Sequence, residues 1–140
     1  MKSFKHITIT ALTVVGLFSA VLYTSCSKST TAPDAAYLGA YSTTETCNPS
    51  VTQPTFSNTI TSSSTSNSTI VISNFGASGN SVTGTVSGNS VTLSPTTFNT
   101  STGGSYTVNG NGTLNGNILT IYYNFSNGVS YTCTDVMTKQ

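Results

Sequence analysis

Apolar and polar residues alternate along most of this chain after residue 36. Val, Ile, Leu, Tyr and Phe recur at every second position with Ser, Thr and Asn between them, a pattern typical of strands that bury one face. No helical period of useful length occurs in this part. The pattern predicts an all-β domain of eight strands, joined mostly by short turns, over residues 37–47, 55–62, 68–75, 81–87, 90–95, 104–114, 117–125 and 129–138.

Dipeptides of glycine and asparagine mark two hairpin turns between these strands. Gly88-Asn89 and Asn115-Gly116 each have the composition of a two-residue turn. The second turn would place Gly112 opposite Leu119, where a glycine leaves room for the large residue across the pair.

The last hairpin admits two registers. A two-residue turn at Asn127-Gly128 would set apolar residues of one strand beside threonines of the next. A three-residue loop over residues 126–128 instead keeps both apolar faces together, with Tyr123 opposite Tyr131. Because a slip of one residue moves every side chain to the other face of the sheet, the three-residue loop is favoured.

The first 26 residues have a different pattern. Lys2, Lys5 and His6 form a basic start, an apolar stretch follows over residues 7–23, and small residues precede Cys26. This order is typical of a cleaved secretory signal peptide, with the cysteine as the new N-terminus. One alternative is a permanent membrane helix, although the stretch is short for the about 20 residues that a span needs. Another is cleavage by an ordinary signal peptidase, which would release a soluble protein.

The run Leu22-Tyr23-Thr24-Ser25-Cys26 resembles the lipobox of bacterial lipoproteins, and Ser-Cys-Ser-Lys is similar to the small lipoproteins of Bacteroidota. The resemblance implies diacylglycerol linked to Cys26 and attachment to the outer membrane. Ser29 and Thr30 stand where surface-directed members often carry acidic residues, so both the periplasmic and the surface face stay open. We divide the chain into a helical signal peptide, a lipidated flexible tether and a β-barrel domain, over residues 1–25, 26–36 and 37–140.

Two cysteines remain after Cys26 is assigned to lipid. An exported protein meets an oxidising compartment, so Cys47 and Cys133 are expected to form a disulfide, the alternatives being two thiols or part of a metal site. Cys47 ends the first strand and Cys133 lies near the start of the last, which indicates that these strands are neighbours. An eight-stranded meander closed in this way is an antiparallel up-and-down barrel. A two-sheet β-sandwich is the alternative.

The segment Tyr37-Leu38-Gly39-Ala40-Tyr41, together with the paired hairpins, resembles the lipocalin-like lipoproteins, and this resemblance implies a fold more than an activity. Small barrels are filled by side chains or hold one small ligand. Tyr41, Tyr123 and Tyr131 are candidates to line such a cavity, although aromatic residues also simply fill cores.

Composition excludes several functions. So few basic side chains follow Cys26 that nucleic acid, which needs Lys and Arg to displace counterions, is not an expected partner. No histidine follows His6, so a Ser-His pair is absent and zinc lacks a common ligand. We therefore expect no enzyme activity, no cofactor and no metal.

One pair of acidic residues is a candidate site. If Cys47 faces Cys133, then Glu45 faces Asp135 on the apolar side of the sheet. Burial of such a pair would raise one pKa, and the pair would suit a cation or general acid–base chemistry. Alternatively both carboxyl groups lie in water at the barrel rim.

Three functions follow from these observations. The first is a membrane-anchored envelope lipoprotein whose barrel binds a small apolar ligand. The second is a structural or adhesive envelope module with a filled core. The third is a hydrolase that depends on the two carboxyl groups.

Overall fold

The computed structural model describes residues 32, 34–51, 53–100 and 102–140, and within them the chain forms one closed antiparallel barrel. Each strand pairs with its neighbours in sequence, and the first strand also pairs with the last. The predicted all-β, up-and-down barrel is thus confirmed, and the sandwich is wrong. The strands are β1 (Gly39–Asn48), β2 (Phe56–Ser63), β3 (Ser66–Ile72), β4 (Val82–Ser87), β5 (Ser90–Asn99), β6 (Ser105–Asn115), β7 (Ile118–Ser126) and β8 (Ser130–Lys139).

Closure of the barrel depends on the pairing of β1 with β8. Cys47 lies directly opposite Cys133, and the two form the predicted disulfide. The same register places Glu45 opposite Asp135, as the parity of the sequence indicated. Buried and exposed residues alternate along both strands.

The turns confirm one predicted register and correct another. Gly88-Asn89 forms the two-residue turn between β4 and β5. Between β6 and β7, however, the two central residues are Gly116 and Asn117, so Gly112 lies opposite Ile121 rather than Leu119. In both turns a glycine with a φ near +60° comes first, which is the position where a hairpin turn needs a residue without a Cβ.

The last hairpin is displaced in the same way. Its loop has three residues as predicted, but it spans residues 127–129, because Ser126 pairs with Ser130. Tyr123 consequently lies opposite Cys133 rather than Tyr131. A displacement of this kind keeps every side chain on its predicted face, since the side-chain period of a strand is two residues.

One end of the barrel is closed by the segment that precedes β1. Tyr37 is fully buried, and its hydroxyl donates to the carbonyl of Gly88 (3.1 Å) on the far side of the barrel. Tyr41, also buried, donates to the Tyr37 carbonyl (2.7 Å). The buried Asp34 accepts a hydrogen bond from Ser62 (2.5 Å). Packing against the barrel therefore includes Asp34, which lies within the segment that the sequence analysis assigns to the tether.

The predicted signal peptide, its helical conformation and Cys26 lie outside the described residues. Among the residues that the structure describes, no helix has the length and apolar character needed to span a bilayer.

The middle of the barrel is filled by aliphatic side chains. The fully buried aliphatic residues come from both the first and the second half of the sheet. These residues include Ile60, Ile70, Ile72, Val82, Val91, Leu119, Ile121 and Met137.

Strand β5 is longer than predicted. The sequence analysis ends it at Pro95, whereas the strand passes Pro95 through an irregularity in its pairing with β6 and continues to Asn99. Proline is tolerated in a sheet at such bulges. The extension carries Phe98 into the core at the second end of the barrel.

Candidate functional site

The second end of the barrel, which we call the open end because it is opposite the end closed by Tyr37, holds a loop that places an aromatic ring inside the barrel. Between β3 and β4, Phe75 is buried in a single 3₁₀ turn, and its ring lies 4.7 Å from that of Tyr123. Three residues of this turn, Asn74, Gly76 and Ala77, have φ between +50° and +60°. Such left-handed conformations are costly for alanine and persist where surrounding contacts impose them.

Those contacts come from β2. The buried Asn58 donates from its amide nitrogen to the carbonyls of Ser73 (2.8 Å) and Asn74 (3.1 Å). Its amide oxygen accepts a hydrogen bond from the buried hydroxyl of Thr43 on β1. These bonds fix the loop that carries Phe75 against the barrel wall.

A cavity of about 100 Å³ lies beneath this loop. Its walls are mainly aromatic and aliphatic, and Glu45 is its one acidic residue. Sites for drug-sized ligands are about 300–1,000 Å³, so this cavity suits only a few non-hydrogen atoms. The lining residues are Glu45, Cys47, Val51, Gln53, Phe75, Gly76, Phe98, Tyr106, Val108, Tyr123 and Phe125.

The two carboxyl oxygens of Glu45 have different neighbours. Its Oε2 accepts a short hydrogen bond (2.5 Å) from the hydroxyl of Tyr123. Its Oε1 lies 3.4 Å from the sulfur of Cys47, which has no hydrogen to donate because it is in the disulfide. Burial, the nearby Asp135 charge and the bond to Glu45 raise the pKa of Tyr123 far above its usual value, so this hydroxyl stays a donor.

Asp135 lies behind Glu45 and has no exposed surface. Neither of its carboxyl oxygens receives a hydrogen bond from a donor group of the described residues. Burial first, then the negative charge of Glu45 and a hydrogen bond between the two carboxyl groups, raise the pKa of Asp135 to about 8. Two carboxylates cannot donate to each other, so this bond requires the proton that Asp135 retains near neutral pH.

The structure brings three of the five predicted site residues together. Glu45, Asp135 and Tyr123 are in one buried group, so the carboxyl groups do not lie in water at the rim. Tyr41 lies at the closed end, where it bonds to the Tyr37 carbonyl, and is not in the cavity. Tyr131 stacks on Phe125 with ring centroids 4.8 Å apart but does not line the cavity either.

Sequence reasoning missed Phe75, Gly76 and Phe98. An ideal Cβ on Gly76 would lie 3.3 Å from the Tyr123 hydroxyl and 3.4 Å from Glu45 Oε2, so this glycine covers the hydrogen-bonded pair. Phe98 was available as a signal, since Thr96-Thr97-Phe98 continues the β pattern beyond Pro95. Nothing in the alternation of residues 73–81 indicates that Phe75 enters the barrel.

The same group includes a set of atoms with metal-ligand spacing. A carboxylate oxygen of Glu45 and the sulfurs of Cys47 and Cys133 all lie within 4.8 Å of one another. The two sulfurs are bonded to each other, and a disulfide does not supply the thiolates that metals bind. In the oxidised protein this group is therefore not a metal centre.

Comparison of the chain with protein-family models, with curated proteins and with solved structures gives no match. The site is thus interpreted from its own geometry.

Proposed function

We propose that this protein is a lipid-anchored lipoprotein of the bacterial cell envelope whose barrel binds a small ligand at its open end. The observation that carries the proposal is the cavity of about 100 Å³, in which aromatic rings surround one buried carboxyl group. Concave, mostly apolar sites with one or two placed polar groups are the usual form of small-ligand sites. The cavity is smaller than the apolar-ligand hypothesis expects, so the ligand is a small molecule or the end of a longer one.

The path of the chain is compatible with a lipid anchor at one end of the barrel and a ligand site at the other. The chain enters the barrel at the closed end, where Asp34 and Tyr37 pack. A lipid on Cys26 would therefore hold the closed end toward the membrane and leave the cavity facing away from it. A ligand could then reach the cavity without crossing the bilayer surface.

A structural or adhesive module is the second candidate, because aliphatic side chains fill the rest of the interior. The hydrolase is less well supported. Of the two carboxyl groups that it would use, only Glu45 reaches the cavity, whereas Asp135 has no exposed surface.

Native mass spectrometry of protein purified from its own membrane tests the proposal. We expect added mass from acyl chains on the chain that begins at Cys26, and a further small mass that is lost on unfolding. Cys26→Ala should lose the acyl mass, whereas the control Ser27→Ala should keep it. Absence of acyl mass contradicts the anchor, and absence of any retained molecule favours the structural module.

A further inference from the structure

The charge of Glu45 has no partner within the described part of the chain. Lys139 is the one cationic side chain there, and its Nζ donates to the carbonyl of Ala36 (3.2 Å) at the closed end. Asp135, beside Glu45, supplies no positive charge, and burial raises the pKa of Asp135 so that it retains its proton near pH 7. A buried charge without a counter-ion is costly, which indicates that a cation completes the site.

The unfilled acceptor sites of Glu45 indicate which kind of cation. The Tyr123 hydroxyl and the Asp135 carboxyl proton fill two of the about four acceptor sites of the carboxylate, and the sulfur beside Oε1 has no hydrogen to donate because it is in the disulfide. A ligand N–H would fill a remaining site, and the hydrogen bond would be strengthened by the charge on both groups.

The cavity walls suit the same chemistry. The rings of Phe98 and Tyr106 are 5.5 Å apart, and those of Tyr106 and Phe125 are 5.1 Å apart. Phe75 and Tyr123 complete the aromatic wall beside Glu45. Faces of aromatic rings attract cations electrostatically, most strongly where water is excluded.

Size and donor set exclude the main alternatives. A cavity of about 100 Å³ has the volume of roughly three waters, too little for a divalent cation with a full hydration shell. Among its described lining residues only Glu45 is a carboxylate, far short of the about six oxygen ligands that a dehydrated divalent cation takes. An anion would be repelled by Glu45, and a neutral apolar molecule would leave the Glu45 charge unpaired. An alkylammonium group of about four non-hydrogen atoms fits, because benzene occupies an engineered cavity of about 150 Å³.

We propose that the open end of the barrel binds the protonated amine of a small alkylammonium ligand, with the Glu45 carboxylate as its anionic acceptor and the surrounding rings as its aromatic wall. The inference rests on the proposed small-ligand function and specifies the ligand's chemistry. Such a site would discriminate between ligands by their charge rather than by their apolar area.

The experiment compares two probes of equal size, propylammonium and its neutral counterpart 1-propanol. Each is titrated at pH 7 and low salt into membrane-purified protein in a non-ionic detergent, with the tyrosine rings labelled for NMR. The shifts of Tyr106 and Tyr123 report the cavity, and those of the exposed Tyr122 report non-specific effects. A ligand of this size is expected to bind no more tightly than on the order of 10 µM.

We expect propylammonium to bind at least tenfold more tightly than 1-propanol, and Glu45→Gln to abolish this preference. Phe98→Leu keeps the carboxyl group but removes one ring, so it should weaken propylammonium binding several-fold more than 1-propanol binding. Equal binding of both probes would overturn the amine inference and leave the small-ligand function standing. Binding of neither probe would overturn the amine inference, whereas the small-ligand function would still be decided by whether native mass spectrometry finds a retained molecule.

Discussion

Asp135 gives the most direct test of the buried carboxyl pair. Its pKa is about 8 in the folded protein against an ordinary value of 3.8, because burial and the Glu45 charge oppose its ionisation. Between these two pH values the folded state binds more protons than the unfolded state. The contribution of Asp135 to the free energy of unfolding therefore declines as the pH rises from about 4 to about 8, and it is constant above that range.

The size of this effect follows from the two pKa values. Each pKa unit corresponds to about 1.4 kcal/mol, so the full decline is on the order of 5 kcal/mol. Asp135→Asn removes the ionisable group but keeps a donor toward Glu45, because the amide N–H replaces the carboxyl proton. We expect the variant to match the wild type near pH 4 and to be more stable by roughly 2–5 kcal/mol at pH 8.

Urea unfolding between pH 4 and pH 9 measures this difference. The assignment is clean because the whole chain has three acidic side chains and no histidine follows His6. Asp34→Asn is the matched control, since Asp34 is equally buried but lies at the closed end beside Ser62, and it should leave the decline in place. Glu45→Gln should lower the pKa of Asp135 and shorten the decline. If the free energies of unfolding of the wild type and of Asp135→Asn differ by the same amount at every pH, the reasoning is refuted.

Three further predictions concern the same end of the barrel. Tyr123→Phe removes the phenolic donor from Glu45 Oε2 and should lower the free energy of unfolding by about 2 kcal/mol in urea, whereas Tyr122→Phe on the exposed face of the same strand should change it by less than about 0.5 kcal/mol. Gly76→Ala and Gly79→Ala both place alanine at positive φ, but only the first adds a methyl group against Tyr123 and Glu45, so in the NMR titration only the first should weaken propylammonium binding. Replacing both disulfide cysteines with alanine should lower the urea midpoint, with a loss of about 3–5 kcal/mol for a loop closed across 86 residues, and an unchanged midpoint would show that the barrel holds β1 against β8 without it.

The closed barrel could be predicted because several independent features agree. The alternation of apolar and polar residues specifies which face of each strand is buried, and a disulfide between the first and last strands specifies closure. The opposition of Glu45 and Asp135 then follows from counting two residues along each strand. These inferences need only parity and one fixed pair.

Other parts of the site carry no such signal. Phe75 enters the barrel through three left-handed residues that are stabilised by Asn58, and that contact joins two segments that alternation alone cannot align. The position of Tyr123 is a second case. Parity is satisfied whether it lies opposite Tyr131 or Cys133, so the apolar pattern does not choose between them.

That choice decides the chemistry of the site. The two registers differ by two residues, a displacement of about 7 Å along the strand. The core is apolar in both, but only the observed register sets Tyr123 beside Cys133, from where its hydroxyl reaches Glu45. Burial energy, which is proportional to apolar area, is nearly the same for both arrangements, whereas the hydrogen bond to a buried carboxylate exists in one of them. The polar pair that defines the candidate site therefore also helps to fix the strand register on which the site depends.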